Sequence, residues 1–171
     1  MLLIKNVVVF LLGVGIGLHD TSISDNGVPN IDIAQDESEN GYAASFRIGG
    51  GVNDQLLLYF AADTNWYKEQ VNNEPTIVGL SGFGVSYYFS PKTNTPYITG
   101  IMGLSNRIQL TSSTSSQDYE GTGFSIGVGY EFSNWLSFQL DYMNLNLEHS
   151  TDRSYTKDVD AFRMTFQANF Y

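Results

Sequence analysis

The chain has 2 histidines, 18 Asp and Glu, and 8 Lys and Arg with which to do chemistry. His19 sits in H-D-T-S, next to Asp20 and close to Ser22. His149 sits in E-H-S-T-D, with Glu148, Ser150 and Asp152. Either cluster holds the residue types of a Ser-His-acid set, which needs the serine within hydrogen-bond reach of the imidazole. Adjacent residues on a strand point to opposite faces, so His149 and Ser150 could not meet there. A solvated loop is the expected setting for His149.

A second group is six charges spread over the chain: Arg47, Asp63, Arg107, Glu131, Asp141 and Arg163. Each stands in a run where large apolar residues alternate with small or polar ones, and each falls on the small, polar parity. Three cations against three anions on one face predict a buried, paired network. A charge in a narrow interior is costly unless paired. The competing uses are a pore constriction lined by charges and catalytic carboxylates.

Other candidates lead nowhere. The acidic stretch with Asp20, Asp25, Asp32, Asp36, Glu37 and Glu39 does not have calcium-loop spacing, so no metal is expected. Gly13, Gly15, Gly17 and Gly121, Gly123 do not lead from a strand into a helix and read as small inward residues, not a phosphate loop. No cofactor is expected.

The elements that must position these charges are strands. At 171 residues, 42% hydrophobic and 14% aromatic, the chain suits one domain over 1–171 and is not disordered. Seventeen glycines argue against a helical bundle. With no cysteine there is no disulfide framework or thiolate chemistry. A net charge of −10 makes nucleic acid a poor partner.

Period-2 alternation recurs eight times. The opening run has one positive charge, Lys5, then an apolar stretch like a secretory signal, but no A-x-A site follows it. Phe10, Leu12, Val14, Ile16 and Leu18 instead alternate with Gly13, Gly15, Gly17 and His19, which predicts a first strand over about 8–19. Read so, the chain carries no export signal of its own. The next strands are expected over 42–52, 55–67, 76–89, 97–109, 123–132, 136–143 and 162–170. Each has about the length that a tilted strand needs to cross an outer membrane.

The connections alternate in length. Asn53-Asp54, 90–95 and Ser133-Asn134 are short, whereas 20–41, 68–74, 110–118 and 145–157 are long and polar. Short periplasmic turns and long outer loops are the pattern of an outer-membrane barrel. The expectation is an all-β, eight-stranded antiparallel up-and-down transmembrane β-barrel in the outer membrane of a Gram-negative bacterium. Large apolar residues would fit lipid outside, and glycine and serine a narrow lumen. Tyr42, Trp66, Tyr119 and Tyr142 fall near the loop ends of strands. Phe89, Tyr97, Phe132, Trp135, Phe170 and Tyr171 fall near the turn ends, giving two aromatic girdles.

G-V-G-Y-E-F-S-N-W-L-S-F-Q-L-D-Y (127–142), F-G-V-S-Y-Y-F-S-P (83–91), P-Y-I-T-G (96–100) and the C-terminal F-Q-A-N-F-Y resemble the small outer-membrane barrels typified by outer membrane proteins A and X. The resemblance implies a closed or nearly closed lumen, and recognition of the C-terminal strand by the barrel-assembly machinery. Phe170 has the outward phase of the family's terminal aromatic, and Tyr171 lies one step beyond. The His149 segment also has some likeness to lipid A deacylases, but their His and Ser stand two places apart and are followed by Asn.

The function expected is therefore non-enzymatic. A plugged monomeric barrel would serve envelope integrity or surface interaction, as in adhesion. Its partners would be outer-membrane lipids and lipopolysaccharide, with an extracellular ligand at the loops. A small diffusion channel is the alternative, with a lipid-A-modifying enzyme behind it.

Overall fold

A computed structural model describes residues 8–25, 28–29, 39–68, 75–109, 118–149 and 155–171. Among them run eight long strands: β1 (Val8–Asp25), β2 (Glu39–Gly51), β3 (Leu56–Lys68), β4 (Pro75–Tyr88), β5 (Thr95–Gln109), β6 (Asp118–Ser133), β7 (Leu136–His149) and β8 (Tyr155–Phe170). A two-residue strand, Val28–Pro29, folds back on the end of β1. Each long strand pairs antiparallel with the next, and β8 pairs with β1. Closure pairs the backbone groups around the ring, which is what lets strands cross hydrocarbon.

The register sets the tilt. Paired residues lead from Leu11 through Arg47, Ala61, Gly82, Gly103, Gly123, Leu145 and Val159 back to β1 at Thr21, so the circuit closes from position 11 to position 21. A stagger of this size tilts the strands by about 35–45°.

Alternation decides which side each residue takes. Phe10, Leu12, Val14, Ile16 and Leu18 point outward and are exposed, while Val9, Leu11 and His19 are buried in the lumen. Cross-strand aromatic pairs such as Phe60–Phe83 and Phe138–Phe166 pack along the outside. Inward glycines make room for rings. A Cβ at Gly84 would run into the Tyr59 ring, and one at Gly129 into that of Tyr97.

Short turns join the strands at one end. Asn53 Oδ1 accepts the backbone N–H groups of Gln55 and Leu56, a side-chain turn of the kind asparagine favours. Asn94 takes a left-handed φ of 66° before β5, which asparagine tolerates. Ser133 pairs with Leu136, so the third turn is Asn134-Trp135, one residue later than expected.

Two outer loops are shorter than the sequence suggests. The first was expected over 20–41, yet β1 runs on to Asp25 and β2 starts at Glu39; the fourth was expected over 145–157, yet β7 reaches His149 and β8 starts at Tyr155. The cause is an inversion of polarity above the apolar belt. On β7, Leu136 and Leu140 face outward, but higher up Asn144, Asn146 and Glu148 take the outer face while Met143, Leu145 and Leu147 turn inward and are wholly buried. Val78, Leu80, Val159 and Ala161 join them at 0% exposure. Burying a Leu or Val side chain contributes about 1.5–3 kcal/mol, so pairing continues beyond the belt with an apolar inside and a polar outside.

Candidate functional site: the lumen side chains

The six expected lumen charges do not form one network. The structure brings four together and sets two apart. Arg163 on β8 is the centre. Its Nη2 donates to Asp63 Oδ2 at 2.9 Å, and its Nε lies 2.9 Å from Asp141 Oδ1. Arg47 Nη2 stands 3.6 Å from the same Asp63 oxygen, and its Nη1 donates to Gln139 Oε1 at 2.9 Å. All four charged side chains are at most 4% exposed. They meet because β2 and β3, and β7 and β8, place Ser45 opposite Asp63 and Asp141 opposite Arg163, and the narrow ring brings the two sides within reach.

Uncharged groups complete the cluster. Gln139 donates to Asp141 Oδ2 at 2.9 Å, and Gln167 and Tyr97 donate to Gln139 Oε1 at 3.1 and 3.2 Å. Ser125 donates to Asp141 Oδ1 at 3.2 Å. The Tyr59, Thr99 and Ser86 hydroxyls bond one another next to this cluster, and the Arg47 guanidinium lies 5.1 Å from the Tyr59 ring centre. The alternating pattern marks Gln139, Gln167, Ser125 and Tyr59 as inward. Only the closed register shows which charges they bridge.

Glu131 lies apart, at the periplasmic floor. The Tyr171 hydroxyl donates to Glu131 Oε2 at 2.6 Å, and the Tyr88 and Tyr97 rings pack 5.0 Å apart at the same end. Arg107 lies at the opposite end, beyond the apolar layer, with its guanidinium 5.6 Å from the Tyr119 ring centre. Glu131 and Arg107 each sit near the end of strands that run antiparallel, so shared parity put them on one face but at opposite heights.

Tyr42, Trp66, Phe89, Phe132, Trp135 and Phe170 stand exposed on the exterior, and Tyr142 is half-buried there. Three aromatics expected in the girdles turn inward instead. Tyr97 and Tyr119 are buried, and Tyr171 reaches Glu131. Tyr97 and Tyr119 occupy inward positions of their strands, so nearness to a strand end was not enough.

Among the described residues His19 is not part of a triad, since both its ring nitrogens lack a hydrogen bond. His19 is buried and stacks on Tyr67 at 4.7 Å, while Asp20 points outward. The side chains of Ser22 and His149 lie outside the described residues, as do Ser150, Asp152 and the loop acids Asp32, Asp36 and Glu37.

A closed ring of eight strands with an apolar exterior and charges buried inside is a transmembrane β-barrel of the outer-membrane class. Solved structures have the same fold. Neisserial surface protein A is 19% identical, with 94% of this chain and 95% of that one covered at a TM-score of 0.56. Ail, the attachment invasion locus protein of Yersinia pestis, is 10% identical, with 95% and 98% covered at 0.59. The outer membrane protein OprG of Pseudomonas aeruginosa is 12% identical, with 98% of both chains covered at 0.53. No family model matches the chain, and no curated protein matches it.

Proposed function

We propose that this barrel is a non-enzymatic, non-conducting platform in the outer membrane of a Gram-negative bacterium, acting through the surface it raises outside the bilayer. The observation that supports this reading is the set of buried side chains that reach into the lumen. Arg47 and Arg163 occupy its middle with their counter-ions, and Leu80, Met143, Leu145 and Leu147 close it above. A water-filled path would need to open both layers. The protein works as a monomer held by outer-membrane lipid, with lipopolysaccharide around the polar strand ends. The outward phase of Phe162, Phe166 and Phe170 on β8 suits recognition by the barrel-assembly machinery.

Surface interaction, adhesion included, is the second part of the proposal. Ail has also been solved with the heparin analogue sucrose octasulfate. Here the strand tops display Asp20, Glu120, Glu148, Asp158 and Asp160 outward. Like charges repel, so this chain's ligand is basic rather than sulfated.

Conductance of the refolded protein in planar bilayers tests the closed lumen, with heat-dependent gel mobility to show folding. A silent bilayer is expected. Reproducible single-channel steps, altered by Arg47→Ala or Asp141→Ala, would make the protein a diffusion channel.

A further inference from the structure

A long, shallow concavity crosses the lipid-facing side of the barrel. It is a groove of about 880 Å3, almost wholly apolar, that runs over the outside of β4 to β8 and ends on β1. A row of directly opposed outward residues lines it, from Val85 through Gly100, Ile126, Tyr142 and Phe162 to Leu18. The next row down, from Tyr87 to Ile16, forms its lower side. Gly100 deepens the middle, because a Cβ there would meet nothing nearer than 3.8 Å.

The groove follows a row across tilted strands, so it climbs as it goes round the barrel. It rises toward the outer loops, in the sense in which the circuit from Leu11 to Thr21 rises. The five steps from β4 to β1, at about 4.8 Å each, make a path of roughly 24 Å, the length of a common acyl chain. The upper end of the groove meets acid. Tyr142, in the groove wall, donates to Asp160 Oδ1 at 2.5 Å, and Asn144 donates to the same oxygen at 2.8 Å. Asp160 is the next outward residue above Phe162, and it stands directly opposite Asp20, the next above Leu18. Like charges directly opposed repel. Among the described residues, no Lys or Arg takes an outward position on β1, β7 or β8, since Lys157 and Arg163 are buried inside.

We propose that the groove seats an acyl chain of a phospholipid of the phosphatidylethanolamine type, with its primary ammonium at Asp20 and Asp160. The apolar wall takes the chain. The ammonium offsets the repulsion between the two carboxylates, at the height where the groove leaves the belt. An anionic headgroup would meet both carboxylates instead, so charge selects among lipids whose chains the groove accepts alike. Chain and headgroup act at different places along the groove, and each can be changed without the other. The inference needs the outer-membrane setting, but neither a closed lumen nor a ligand outside the cell.

Native mass spectrometry of the refolded barrel tests this. The protein is taken from micelles that hold equal amounts of phosphatidylethanolamine and phosphatidylglycerol with the same chains. The wild type is expected to retain phosphatidylethanolamine several-fold over phosphatidylglycerol. Asp20→Asn with Asp160→Asn should erase that preference and leave lipid bound. Gly100→Leu, which fills the middle of the groove, should lower retention of both lipids several-fold. Heat-dependent gel mobility shows that each variant is folded. Equal retention of the two lipids by the wild type, a preference that survives the double change, or retention untouched by Gly100→Leu would each overturn the proposal. A preference that disappears when magnesium is added would assign the carboxylates to a divalent cation and overturn it as well.

Discussion

Arg163 and Asp63 are 100 positions apart in the chain, yet Arg163 Nη2 and Asp63 Oδ2 stand 2.9 Å apart with both side chains wholly buried. Asp63 is shared with Arg47 and Arg163 with Asp141, so each member of the cluster has another that depends on it. Removing one partner leaves a charge buried without compensation, which costs about 3–5 kcal/mol.

Asp63→Ala is therefore expected to destabilise the folded barrel by about that amount. Replacing both Asp63 and Arg163 with leucine and methionine should cost less than the sum of the single changes. Urea unfolding in lipid vesicles, run as a double-mutant cycle, measures the difference. Additive losses would mean that the pair does not act as a unit.

The inward glycines carry a second prediction. Gly84 faces the Tyr59 ring so closely that a methyl group would overlap it. Gly84→Ala should push Tyr59 off Thr99 and Ser86 and cost about 1–3 kcal/mol by overpacking. Gly100 faces outward, and a Cβ there would meet nothing nearer than 3.8 Å. Gly100→Ala should leave the urea midpoint nearly unchanged, and equal losses at the two sites would refute the assignment of faces.

Depth in the belt gives a third. Leu140 is exposed on the outer face of β7, between Phe138 and the girdle residue Tyr142. Leu140→Arg should destabilise by about 2–4 kcal/mol, as expected for arginine near the bilayer midplane. Asn146→Arg, on the same face of β7 but above the belt, should change stability by less than about 0.5 kcal/mol. Folding equilibria of the two variants in the same vesicles compare them directly.

The fourth concerns pH. Burial and Arg107 hold Lys157 at about 8, below its unfolded value of 10.5. Between those values the unfolded chain binds more protons than the folded one, so stability rises with pH across that window. Unfolding midpoints from pH 7.5 to 10.5, in anion-poor buffer, should climb in the wild type relative to Lys157→Met. Parallel curves for the two proteins would show that Lys157 titrates as it does in the unfolded chain.

Much of this was legible in the chain. Strict alternation at Phe124, Ile126, Val128, Tyr130 and Phe132 assigns the outward face of β6 without any tertiary information. It also identifies Arg47, Asp63, Asp141 and Arg163 as inward. The inversion on β7 was less legible. Leu145 and Leu147 keep period 2 but change phase relative to the belt below them, so they read as the start of a polar loop. Tyr97 and Tyr119 are illegible as lumen residues for a related reason: they stand near strand ends, where an aromatic suits the girdle, and only their parity turns them inward.

The sequence by itself determined strand number, the outward apolar face and the short turns, because these depend on period 2 and local turn chemistry within about ten residues. Only the tertiary structure decided which inward residues share a height. Height depends on the register of every pairing around the ring and on the stagger with which β8 meets β1. That closure places Arg163 against Asp63 and Asp141, sends Glu131 to the floor with Tyr171, and lifts Arg107 and Lys157 together onto Tyr119.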